Sequence, residues 1–141
     1  MRPIVLSTMT RTVAAISLIG AMAGCASMSP TPEEAVRTRA TQSWKALVAS
    51  DFDRSYEFLT PSYRAATTLN NYKKGFSGAV RWVAAEVASV KCESPDKCVA
   101  NMKVEAVPIL LGNRRAAAPI VNYFDETWLM ENGQWWLFPT P

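Results

Sequence analysis

Apolar positions recur at helical spacing soon after residue 31. Val36, Ala40, Trp44, Leu47 and Val48 form one stripe, and Arg37, Arg39, Gln42 and Lys45 fill the opposite face. The start is punctuated by Thr31 as a cap, Pro32 at the first position and Glu34 completing a capping box. This predicts a helix to about Ser50. Asp51-Phe52-Asp53 forms a turn that can cap a short second helix carrying Tyr56, Phe58 and Leu59. Thr60-Pro61 repeats the cap-plus-proline start. A third helical segment, in two pieces, runs to about Phe76 on the anchors Tyr63, Leu69, Tyr72 and Phe76.

From residue 79 the period changes to two. Residues 79–93 and 98–111 read as strands, the second alternating Ala100, Met102, Val104 and Ala106 against Asn101, Lys103 and Glu105. Pro108 ends or bends that ladder. Gly112 to Arg115 is a turn, its basic pair solvated or touching anionic headgroups. Ile120 to Met130 is a third strand. Asn132-Gly133 is a type I′ hairpin signal leading to a last strand, Gln134 to Phe138. Helices first and antiparallel strands last predict an α+β domain with helices on one sheet face. The last hairpin, with Trp128, Trp135 and Trp136, is apolar on both faces, so a second chain or a peptide is one expected cover for the outer face.

The 141 residues amount to one domain, and 49 % hydrophobic against 19 % charged residues exclude a disordered chain. The absence of histidine excludes His-based triads, bases and metal sites. No metal or other cofactor is expected. Arg2 and Arg11 precede an uncharged stretch, Val13 to Ala23, in the three-part layout of a secretory signal. That stretch is too short for a bilayer's ~30 Å core. Beyond Gly24 the chain holds 13 basic and 12 acidic residues, which gives no electrostatic footprint for nucleic acid.

Met22-Ala23-Gly24-Cys25 resembles a bacterial lipobox, with Met22 where leucine is usual. The resemblance implies cleavage after Gly24 and a lipid on Cys25, dividing the chain into signal 1–24, acylated tether 25–31 and domain 32–141. The expected location is the cell envelope, with Ala26 favouring the outer membrane on its periplasmic side. A secreted protein cut near Ala26 is the alternative. Met9 is an alternative start to Met1.

Cys92 and Cys98 face each other across a polar turn containing Pro95. In an oxidising compartment they are expected to form a disulfide, worth roughly 2.4 kcal/mol by loop entropy. A metal or redox role is weaker, since two ligands make an incomplete site and redox pairs favour closer spacing.

Trp44-Lys-Ala-Leu-Val-Ala-Ser-Asp51, Tyr56-Glu-Phe-Leu-Thr-Pro61, Tyr63-Arg64 and the closing Glu126-Thr-Trp128 with Gly133-Gln-Trp135-Trp136 resemble the nuclear transport factor 2-like (SnoaL-like, cystatin-like cone) superfamily over about residues 32–138. The resemblance implies three helices in the mouth of a strongly curved antiparallel sheet of about four strands. Such cones often enclose a pocket and often dimerise through the outer sheet face. Trp44, Tyr56, Tyr63, Tyr72 and Trp128 are the candidate pocket residues. Enzymes of the family place acids, tyrosines or histidines inside the cone. Here Trp44 stands near the position of a tyrosine acid, and indole N–H is a donor but no useful acid. Glu57 is the only carboxylate between Tyr56 and Asn71.

Glu86 and Glu126 are the candidate bases, each sharing a strand face with large apolar groups. Arg81, Arg114 or Arg115 are possible partners for Glu126. The favoured expectation is non-catalytic binding of a small apolar ligand or a protein partner. An isomerase- or hydrolase-like enzyme, or a dimerising module of an envelope complex, are the alternatives.

Overall fold

The computed structural model describes residues 29–76, 80–109 and 118–139. Cys25, its leader and the Gly112–Arg115 turn lie outside them. The order is α1 (Pro32–Val48), α2 (Phe52–Tyr56), α3 (Pro61–Ala66), α4 (Leu69–Lys74), β1 (Val80–Ser94), β2 (Lys97–Pro108), β3 (Ile120–Glu131) and β4 (Gln134–Phe138). The strands form one antiparallel sheet in the order β1-β2-β3-β4. The α+β class stands, with helices N-terminal to the sheet. No helix of the described residues is long and apolar enough to cross a membrane.

Local chemistry explains the breaks. Thr31 Oγ1 accepts from Glu34 N–H, and Glu34 Oε2 accepts from Thr31 N–H at 2.8 Å. Ser50, at φ 57°, ends α1 in the left-handed region. Its N–H donates to Leu47 O and that of Asp51 to Ala46 O, a Schellman closure without glycine. The expected third helix breaks at Thr67, which is extended, and Thr68 caps the next piece, giving four segments. Asn132 and Gly133 both have positive φ, 53° and 76°, as a type I′ turn requires.

The core lies between α1 and one sheet face. Val36, Ala40, Trp44 and Leu47 of α1 meet Cys98, Ala100, Met102 and Val104 of β2 and Trp128 of β3. β1 is irregular: its register against β2 shifts between Trp82 and Ala84, between Val87 and Ser89, and between Cys92 and Ser94. The outer edge of β4 is occupied. Thr60 N–H donates to Leu137 O, and Leu137 N–H donates to Phe58 O, so residues 58–60 run beside it.

The opposite sheet face carries Glu86–Lys103 and Asn101–Asp125 pairs. Tyr123 and Val121 are exposed there. Arg39 and Arg64 of the protein's own helices stack on the Trp136 indole.

Candidate functional site

The site is built around Glu126. Strand alternation puts Phe124, Glu126 and Trp128 on the inner face of β3. α1 brings Trp44 over them. Its ring is held edge-on by Trp82 at 5.5 Å and tilted against Phe124 at 5.6 Å. So clamped, Trp44 Nε1 donates to Glu126 Oε1 at 2.8 Å. Glu126 Oε2 is buried without a hydrogen-bond partner, as is Trp128 Nε1 two residues on.

Glu126 is 8 % exposed. Burial pushes its pKa up from the usual 4.5 to about 7, opposed by the Trp44 hydrogen bond and more weakly by the Trp128 indole, which lies short of normal hydrogen-bond geometry. None of the ion pairs among the described residues includes it. Near neutral pH this carboxyl is divided between acid and base forms, so it can give or take a proton or a hydrogen bond.

Glu126 lines a cavity of about 280 Å³. The walls include Trp44 and Leu47 of α1, Tyr72 of α4, Phe76 just after it, Phe124, and Leu59 beside Leu137, and the exposed Asp125 borders the cavity. A chain of rings supports the Tyr72 side: Phe52 stacks on Phe76 at 5.0 Å, Phe76 meets Tyr72 at 4.8 Å, and Tyr72 meets Tyr56 at 5.4 Å. The Tyr72 hydroxyl shares a 2.9 Å hydrogen bond with Ser55, and burial pushes its pKa up. The volume lies just below the ~300–1,000 Å³ seen for small-molecule pockets.

Trp44 and Tyr72 of the five candidate pocket residues line the cavity. Trp128 lies behind it, fully buried. Tyr56 is a tie: its hydroxyl donates to Arg64 O and Thr67 O, pinning the end of α3. Tyr63 is half-buried on α3 and is not a wall residue.

Glu86 does not join the site. It is exposed on the opposite sheet face and pairs with Lys103 at 3.0 Å. The bulge at Val83 is the reason: Trp82 faces the core, Ala84 faces out, and Glu86 follows Ala84. Among the described residues the partner of Glu126 is the Trp44 indole; Arg81 forms no ion pair with it, and Arg114 and Arg115 lie outside the described residues.

Phe76, Phe124 and Leu59 are wall residues the sequence reading missed. Phe124 was findable, two residues from Glu126 on the same strand face. Cys92 faces Cys98 across the β1–β2 hairpin, and their sulfurs lie at disulfide-bonding distance. Among the described residues no group of three Cys, Asp or Glu side chains is placed to hold a metal.

No family model matches the chain, and no curated protein does. Solved structures do. A SEC-C motif containing protein from Rhodopseudomonas palustris is 15 % identical with a TM-score of 0.54, over 77 % of this chain and 76 % of that one. A candidate polyketide cyclase from Xanthomonas campestris pv. campestris is 15 % identical with a TM-score of 0.43, over 74 % of this chain and 92 % of that one. At 15 % identity, what the chain shares with the Rhodopseudomonas protein is a fold.

Proposed function

We propose that the chain is an envelope lipoprotein whose cone-type domain, of the nuclear transport factor 2-like kind, binds a small apolar ligand beside Glu126. Cys25 carries the lipid, and the domain faces the periplasm from the outer membrane. Cys92 and Cys98 are oxidised there. The observation that supports binding most directly is the apolar cavity holding one buried carboxyl with an unsatisfied oxygen. Apolar walls reward burial of a ligand's hydrocarbon at roughly 25 cal/mol per Å². The free Oε2 selects a ligand with a single donor group placed to meet it. Water-filled polar sites lack that combination.

Native mass spectrometry of the full chain, exported and gently extracted in detergent, tests this reading. The expected result is a retained small-molecule mass that is lost when Leu47→Trp fills the cavity. A bare chain mass under conditions that keep other complexes intact would count against it.

The pKa near 7 favours one second reading, proton transfer to or from a bound substrate by Glu126. The two readings separate in Glu126→Gln, which keeps the carbonyl oxygen facing Trp44 but cannot take up a proton. The amide NH2 that then takes the place of Oε2 opposes the ligand's donor group, so a binding protein loses more than about tenfold in affinity. An enzyme keeps ligand and loses turnover.

A further inference from the structure

A second cleft, of about 390 Å³, shares no wall residue with the Glu126 cavity. Three guanidiniums line it, each from a different helix: Arg39 of α1, Arg54 of α2 and Arg64 of α3. Its floor is Trp136 of β4. Arg39 Cζ lies 5.2 Å from the centre of that indole and 4.9 Å from the Phe58 ring, and Arg64 Cζ lies 5.1 Å from the same indole. Gln134, its amide turned to satisfy both groups, accepts from Arg39 Nη1 at 2.8 Å and Nη2 at 2.9 Å. Two cations are thus seated on one ring.

These charges have no internal answer. The ion pairs of the described residues, Lys73–Asp53, Lys97–Glu93 and Lys103–Glu86, lie elsewhere. Glu57 is the only acid on the cleft wall, and it is exposed and forms no ion pair. Arg39 Nε and Arg64 Nε are sealed from solvent without hydrogen-bond partners. Burial lowers the pKa of Arg39, with no neighbouring anion to oppose it. Three positive groups against one negative leave an excess of about two charges.

A guanidinium stacked on a ring keeps its in-plane N–H donors, and that fork fits a tetrahedral oxyanion two bonds at a time. A phosphomonoester carries about −1.5 to −2 near pH 7, which matches the excess, where a carboxylate supplies half of it. We propose that this cleft binds the phosphate group of a phosphomonoester, with Arg64 held on Trp136 as the fork, Arg39 fixed by Gln134 adding its charge at the floor, and Arg54 closing from α2. The phosphate belongs either to a small soluble ester or to a lipid headgroup.

Calorimetric titration of the full chain in detergent tests the site, with inorganic phosphate and monomeric dihexanoyl phosphatidic acid as probes and sodium chloride at matched ionic strength as the reference. Saturable phosphate binding is expected, weakened at least tenfold in Arg64→Gln and in Arg54→Gln. Arg54 is exposed, so its variant keeps the test open if loss of the Arg64 stack disturbs folding. Short-chain phosphatidic acid binding tenfold tighter than phosphate identifies a lipid headgroup as the source. Equal affinities identify the soluble ester. A heat no greater than that of chloride, or unchanged affinity in both variants, overturns the proposal.

Discussion

At the residue scale, Glu126 makes the stability of the fold depend on pH. Its folded-state pKa of about 7 lies above the usual 4.5, so the folded protein holds the proton more tightly than the unfolded chain. Its contribution is fully present below about pH 4.5 and is lost as pH rises through 7. The shift corresponds to about 3 kcal/mol. Glu126→Gln is therefore expected to melt several degrees above the parent at pH 8, with the gap closing toward pH 4. Thermal melts of both proteins across that range check it; parallel curves would contradict the burial argument.

Trp44→Phe removes the one hydrogen bond that Glu126 accepts. At pH 8 it is expected to cost about 1–3 kcal/mol in chemical denaturation, more than the same change costs at pH 5. The inner placement of Glu126 was legible, since Phe124 and Trp128 flank it with period two. Its indole partner was not. Trp44 is 82 residues away, and only the lie of α1 across the sheet brings it there.

At the scale of elements, what could be read was what local chemistry decides. The capping box at Thr31, the proline at the start of α3 and the Asn132-Gly133 turn each act within four residues. The bulges of β1 follow no comparable rule. One extra residue at Val83 reverses the side chains as far as the next shift after Val87, and Glu86 went to the wrong face for that reason. Tyr56 was misplaced similarly, because its hydroxyl satisfies backbone carbonyls at the end of α3 that only the folded helix pair exposes. The cysteine pair gives a prediction at this scale. Cys92→Ala with Cys98→Ala should lower unfolding free energy by about 2 kcal/mol in oxidising buffer and by much less relative to the reduced protein. Denaturation with and without reductant measures both.

At the scale of the molecule, two recesses of opposite character share one small sheet. The apolar one faces Glu126, and the basic one faces Trp136. The helices-then-strands order was enough to predict the α+β layout. The arginine-lined cleft was hidden, because Arg39, Arg54, Arg64 and Trp136 are spread over four elements with no common spacing. The two recesses are expected to respond independently: Glu126→Gln leaves phosphate binding intact, and Arg54→Gln leaves the mass retained in the native spectrum unchanged.

The strand of chain running from Phe58 to Thr60 has a consequence for association. A bare sheet margin invites a further strand, from another copy or from an unfolded neighbour. On β4 the N–H and carbonyl of Leu137 are already engaged by Phe58 and Thr60. At the other margin, β1 is interrupted three times, and Arg37 reaches over to bond the Val87 carbonyl at 2.7 Å. Neither border offers a long straight template. Self-association by strand addition is thereby disfavoured, and any lasting partnership of this domain falls to its side-chain surfaces.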